Sequence, residues 1–270
     1  MKYSFNTFNH STYYGLEPSL PAQIAAAAAA GYDHIGLDVF SVRAHDRAGT
    51  PPEALADALR AADLPCYEIV SLSISADRDA TERSLAGILR YAPVVGAREV
   101  LTVVTGPVDD AVAANARHCA AALADAGLGL NLEFLPTRDV DSIDEARRLV
   151  DLLPDGTLKL VVEAWHFFRG PSTWESLRDL PLDLVGFVQF SDAPEPIHDD
   201  HHTESMHRRA LPGEGVLDLP AFCGALLDKG YDGVVSVELL DDTWRAAPLP
   251  DFAEATLRTT RKVWEAAAGA

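Results

Sequence analysis

Short apolar runs recur along this chain with longer helix-like stretches between them. YSFNTF (3–8), HIGLDVF (34–40), CYEIVSLSI (66–74), VLTVVTG (100–106), LGLNLEFL (128–135), LKLVVEAW (158–165), LVGFVQFSD (184–192) and GVVSVELL (233–240) predict eight strands. They are rich in β-branched residues and read as continuous rather than strictly alternating, as expected for strands covered on both faces. Helix signals fill the gaps. PAQIAAAAAAG ends on Gly31, PPEALADALRAA opens on prolines, DATERSLAGILRYA keeps helical spacing, and SIDEARRLVDLL sets Glu145 three residues after Ser142 in a capping-box pattern.

One unit repeats. AAAAAAGYDHIGLDVF (25–40) and GALLDKGYDGVVSVELL (224–240) share a helix, a Gly-Tyr-Asp turn and a strand. The glycine suits the left-handed conformation that ends a helix. Eight strands alternating with helices predict a (β/α)₈ TIM barrel. A doubly wound open sheet is the competitor, but no GxGxxG or GxxxxGK[ST] follows any strand.

Composition narrows the picture. The 270 residues are 48% hydrophobic and 23% charged, enough for a sizeable core. No linker or shift in composition interrupts them, so a single domain over 1–270 is expected. No apolar run is long enough to span a bilayer. The opening MKYSFNTFNH has neither an apolar leader nor a small-residue cleavage site, so secretion is not expected. Cys66, Cys119 and Cys223 lie far apart without a CxxC, which fits a reducing cytoplasm and argues against a thiolate zinc site. Net charge is −19, from 41 acidic and 22 basic residues, so the basic footprint of a nucleic-acid binder is missing. Clustered carboxylates would instead attract a divalent cation.

In a parallel barrel the chemistry sits where the strands end. Glu133 ends the fifth predicted strand and Glu163 the sixth, while Gln189 and Glu238 lie late in the seventh and eighth. Like charges at close range raise one another's pKa, so three converging carboxylates must share protons, meet basic partners or hold a cation. An oxygen-rich set with one amide and no thiolate suits Mg²⁺ or Mn²⁺. His166, three residues past Glu163, is placed to reach a substrate, with Trp165 beside it as a second contact; His10 follows the first strand and is a further candidate. HDDHH (198–202) reads as a mobile, solvated lid rather than a metal cluster. Arg209, just before LPGEG, could clamp a substrate carboxylate or phosphate. No phosphate-binding glycine loop accompanies it, so a substrate without phosphate is expected.

Taken together, LNLEFLP, VVEAWHFFRG, VGFVQFSDAP, RRALPGEGVLDL and GYDGVVSVEL resemble the sugar phosphate isomerase/epimerase family of xylose isomerase-like TIM barrels. The resemblance runs over nearly the whole chain. It implies four metal ligands, one from each of four successive strands, which fall on Glu133, Glu163, Gln189 and Glu238. It places the family's histidine on His166 and its arginine on Arg209. Two departures stand out: the second ligand of the family is usually aspartate, here Glu163, and the third is Gln189 rather than histidine. Glutamine there is similar to the 3-dehydroshikimate dehydratase branch, although FLPTRDV after Glu133 lacks that branch's Ala-Trp-Gly stretch.

The resemblance and the residues imply an isomerase or epimerase of a keto-sugar or related polyhydroxylated carbonyl compound. It would remove a proton α to the carbonyl and pass through a metal-stabilised enediolate. Glu133 and Glu238 are then the base candidates, one on each substrate face, with His166 as an acid or base. Expulsion of a β-hydroxyl instead gives a 3-dehydroshikimate dehydratase-type lyase. A third reading is a non-catalytic sugar-binding barrel whose metal site is degraded at Glu163. All three expect a small-molecule partner, no nucleic acid and no membrane; barrels of this group often pair as homodimers.

Overall fold

The computed structural model describes residues 1–269. Eight parallel strands, β1 (Lys2–Asn6), β2 (His34–Asp38), β3 (Cys66–Ser75), β4 (Glu99–Thr105), β5 (Gly129–Glu133), β6 (Lys159–Glu163), β7 (Val185–Phe190) and β8 (Val234–Val237), close in sequence order into a barrel. The closure is the parallel pairing of β1 with β8, from Lys2 opposite Val234 to Phe5 opposite Val237. All eight expected strands are present, most of them shorter than their apolar runs. Glu238 therefore lies one residue beyond β8 rather than inside it.

The strands differ from the expected pattern in one respect: they alternate. Phe5, Ile35, Leu37, Ile69, Val100, Leu130, Leu132, Leu160, Val162, Val188, Phe190, Val235 and Val237 belong to the main core between sheet and helices. Val70, Leu101, Val161, Phe187 and Val234 form a separate, smaller cluster, on positions that alternate with the first set along each strand. The same alternate positions carry Ser4, Asn6, Glu68, Asn131, Glu133, Glu163, Gln189 and Ser236, all buried. The barrel interior is thus half polar, and its polar side chains point where the next one can meet them.

The repeated turn does the same work twice. Gly31 and Gly230 have φ of 88° and 85°, and each is followed by a buried tyrosine. Tyr32 shares a hydrogen bond with Thr256 Oγ1 at 2.9 Å, and Tyr231 donates to the Val234 carbonyl at 2.6 Å. The aspartates that follow take hold of the start of β1: Asp33 accepts from Lys2 Nζ and the Tyr3 amide, and Asp232 pairs with the chain's amino terminus.

Glu68 crosses the interior from β3 to the opposite side of the closure. Its carboxylate accepts from Ser4 Oγ at 3.0 Å and from Ser236 Oγ. Gly36 of β2 makes the crossing possible, because a Cβ there would stand 2.2 Å from Glu68 Oε1. Burial pushes the Glu68 carboxyl from its ordinary 4.5 up to about 7, against the pull of the two serine hydroxyls. A carboxyl raised in the folded state binds more protons there than in the unfolded chain. Stability from this group is therefore fully present below about pH 4.5 and is lost as pH rises to about 7. Glu68→Gln is expected to be more stable than the native chain at pH 8, by up to about 3 kcal/mol, and to lose that advantage at pH 4.5. Urea melts at the two pH values check this, and equal stabilities at pH 8 would refute it.

The HDDHH tract runs from exposed loop into a helix. His201–His207 forms a helix over the barrel mouth, capped by Asp200, which accepts from the His202 and Thr203 amides. Glu204 ties it down by accepting from the Ile197 and His198 amides and from Arg208. These bonds satisfy the backbone that a mobile lid would leave to water. No helix among the described residues is long and apolar enough to cross a membrane.

Candidate active site

β6 ends on Glu163 for a local reason. Its side chain folds back over the helix Ala164–Arg169, Oε1 accepting from the Trp165 amide at 3.0 Å and Oε2 from the His166 amide at 2.7 Å. Those amides have no partner within the helix and favour an anion. Arg209 adds a third donor: its Nη1 reaches Glu163 Oε1 at 3.1 Å. Glu163 is completely buried.

Arg209 is only 3% exposed, although it follows a surface helix. Its backbone is held by strand-like bridges of its neighbours, Ala210 to Asp192 and Arg208 to Asp241, and by its own amide donating to the Leu240 carbonyl. Its guanidinium reaches inward, Nε to the Ser205 carbonyl at 2.8 Å, Nη2 to Ser205 Oγ at 3.2 Å, and Nη1 also to Ser191 Oγ and the Glu238 carbonyl. Nη1 stands 3.4 Å from Glu238 Oε2. The group also lies 5.6 Å from the centre of the Trp165 ring, within cation–π range.

Glu238 Oε1 accepts from Asn6 Nδ2 at 3.3 Å and from Gln189 Nε2 at 3.1 Å. Glu133 Oε1 lies 3.3 Å from His166 Nε2, while His166 Nδ1 faces Glu163 Oε2 at 3.4 Å. Burial pushes the carboxyls of Glu133 and Glu238 upward against the pull of Arg209; for Glu238 the charges of Glu133 and Glu163 push the same way. Burial lowers His166 to about 4, outweighing the attraction of Glu163. The imidazole is therefore neutral at pH 7, and its contacts with the two glutamates are those of an uncharged ring.

A cavity of about 190 Å³ opens onto Glu133, His166, Arg209 and Glu238. Ser205, Met206 and His202 of the helix above also line it, as does Arg138. Its other wall is apolar and includes Phe8, Tyr13, Phe40, Leu101, Val103 and Leu240. Of the residues singled out in the sequence, Glu133, His166, Arg209 and Glu238 reach the cavity, as does His202 of the HDDHH tract. Glu163 and Gln189 lie beneath it, completely buried. Two expected substrate contacts are corrected. His10 turns away behind the barrel wall and packs edge-on against Phe252 at 4.6 Å. Trp165 is 1% exposed and forms a floor under Arg209 and His166.

The four expected ligands do not stand as one open set. Among the described residues no group of three or more His, Cys, Asp or Glu is placed to hold a metal ion. Glu163 is engaged elsewhere: its Oε1 accepts from the Trp165 amide and Arg209, and its Oε2 from the His166 amide. What remains is Glu133, Glu238 and the amide oxygen of Gln189, a buried acceptor with no hydrogen-bond partner. Two carboxylates short of positive charge and one unpaired buried oxygen do fit a hard divalent cation.

Sequence reasoning missed Asn6, Ser191, Ser205, Arg138 and the aromatic wall. Asn6 had a signal, since an amide ends the apolar run of β1 as Gln189 interrupts that of β7. The wall aromatics had none.

The sequence profile of the family described as xylose isomerase-like TIM barrel matches residues 24–263. The chain belongs to that family. Among its curated relatives, a 3-dehydroshikimate dehydratase of Pseudomonas putida is 32% identical over 134 residues, 49% of this chain and 21% of that protein. An inosose isomerase of Bacillus velezensis is 30% identical over 142 residues, 52% of this chain and 48% of that protein. This xylose isomerase-like barrel thus aligns with about a fifth of the dehydratase's length and about half of the isomerase's. Among solved structures, the IolI protein with a bound zinc atom superposes with a TM-score of 0.85 at 20% identity, covering 98% of this chain and 99% of that one. That likeness is one of fold.

Proposed function

We propose that this barrel is an isomerase or epimerase acting on a polyhydroxylated carbonyl compound by removing a proton α to the carbonyl. The observation that supports it most is the opening of two raised carboxylates, Glu133 and Glu238, onto one cavity beside a neutral imidazole. A carboxylate shifted toward neutrality is a stronger base than an ordinary one and suits proton transfer at carbon.

One glutamate accepts the α-proton as the C–H electron pair moves to form the carbon–carbon double bond and charge collects on the carbonyl oxygen. The Arg209 guanidinium, which lines the cavity 3.4 Å from Glu238, would favour that charge. Return of a proton by the other glutamate to the opposite face gives the epimer; return to the neighbouring carbon, with the α-hydroxyl proton passing to the former carbonyl oxygen, gives the isomer. Glu133, Glu238 and Gln189 would hold a divalent cation, Mn²⁺ or Mg²⁺ by donor type, which when bound supplies Lewis acidity toward a substrate oxygen. The substrate is a small molecule without phosphate, met in the cytoplasm; three buried free cysteines are compatible with that compartment.

A second reading, dehydration of 3-dehydroshikimate or a similar cyclic β-hydroxyketone, is favoured by Gln189 and by the apolar cavity wall, which suits a ring more than an open polyol. There His166 accepts the α-proton, and a protonated glutamate, Glu133 or Glu238, gives its proton to the departing hydroxyl, which leaves as water. The test is incubation in D₂O with inosose, D-allulose and 3-dehydroshikimate. Deuterium entering α to the carbonyl, or rising ultraviolet absorbance from a conjugated product, is the expected result. No exchange and no absorbance change with Mn²⁺ or Mg²⁺ present would end the catalytic reading.

A further inference from the structure

We propose that Arg209 is a cation built into this barrel, that Glu163 is its anchor rather than a metal ligand, and that a divalent metal at Glu133, Gln189 and Glu238 must compete with it. The inference deepens the proposed function, since it rests on the reading that those three residues take a metal.

Three observations carry it. The first is the engagement of Glu163, three of whose four carboxylate lone pairs have donors. Oε1 accepts from the Trp165 amide and from Arg209, and Oε2 accepts from the His166 amide at 2.7 Å. A carboxylate oxygen has two lone pairs in its plane, so Oε1 has none left for a metal. The longer side chain matters as well. Shortening it to aspartate while keeping the helix cap would draw the carboxylate back by roughly 1.5 Å and break the contact with Arg209.

The second observation is the place of the guanidinium. It touches Glu163 at 3.1 Å and Glu238 at 3.4 Å, spanning the ends of β6 and β8 on either side of the strand that carries Gln189. The third is its commitment. Nε and both Nη atoms all have protein acceptors, and the residue is 3% exposed. It is not a surface side chain waiting for ligand. A dication brought beside this buried, unscreened guanidinium would be repelled. Metal entry therefore requires Arg209 to leave Glu238, and the metal-free site is already neutralised in part by its own chain.

The experiment is calorimetric titration of the full chain with Mn²⁺ for the native protein, Arg209→Gln, Glu163→Gln and Glu133→Gln, with thermal melts before and after metal. Arg209→Gln is expected to bind Mn²⁺ about tenfold or more tightly than the native chain. It should melt lower without metal and be raised further by it. Glu163→Gln keeps the cap acceptor but loses the anchoring charge, and should bind Mn²⁺ as well as the native chain or better. Glu133→Gln should lose binding. If Glu163→Gln loses Mn²⁺ as Glu133→Gln does, Glu163 is a ligand and the proposal is overturned. Mn²⁺ affinity unchanged or absent in Arg209→Gln also overturns it. Should Arg209→Gln not fold, Glu163→Gln decides alone. None of these outcomes depends on turnover, so α-proton exchange in the native chain would leave the proposed function standing if the inference fell.

Discussion

Glu238→Gln is expected to lower the rate of α-proton exchange by about 10²–10⁴-fold, the range for losing a positioned general base or acid. The variant keeps the shape of the site. Glu238 Oε1 accepts from Asn6 and Gln189, and an amide oxygen can accept both bonds in its place. What it removes is the second oxygen, which faces Arg209 at 3.4 Å and can take a proton. Substrate binding through the apolar cavity wall and His166 should change less than turnover, and Mn²⁺ binding, to which Glu238 would also contribute, is titrated alongside. Deuterium exchange at saturating substrate separates the two effects. Exchange within threefold of the native rate would remove Glu238 from the proposed chemistry and leave Glu133 as the only base.

Asp192→Ala is expected to destabilise the fold by about 3 kcal/mol or more, since each buried donor left unpaired costs about 1–3 kcal/mol. The Asp192 carboxylate, 1% exposed, accepts from four amides: Ala193, Gly213, Gly215 and Leu217. Gly215 is glycine because a Cβ there would sit 2.2 Å from Asp192 Oδ1. The loop that follows Arg209 is wound around this one carboxylate, and the Asp192 backbone exchanges both hydrogen bonds with Ala210. Removing it therefore loosens the segment that sends Arg209 inward. Urea denaturation measures the loss; a change below about 1 kcal/mol would show that water replaces the carboxylate without cost.

Much of this site is visible before folding. Glu133, Glu163, Gln189 and Glu238 stand out because each interrupts an apolar run near a strand's end, and the barrel rule brings strand ends together. His10 shows the limit of that rule. It follows β1 as His166 follows β6, yet the short turn Thr7–His10 carries it behind the wall to Phe252. Spacing from a strand end tells how far a residue lies from the mouth, not the side on which it emerges. Phe8 and Tyr13 lie in short helical turns after β1 and Phe40 in the first turn of the helix Val39–Arg47; they share no period, and only the fold brings them to one cavity.

The sequence by itself determined the eight strands, their order, the closure and the four chemical groups at their ends. Those follow from local signals: apolar runs, helix-ending glycines, and polar residues that interrupt the runs near their ends. The tertiary structure decided what the groups are paired with. Glu163 is bound to two amides within three residues and to Arg209, 46 residues further along the chain. No local pattern encodes that last contact, because it exists only where the ends of β6 and β8 and the segment across them meet. A carboxylate at a strand end reads as unpaired in the sequence, and only the fold shows the arginine beside it.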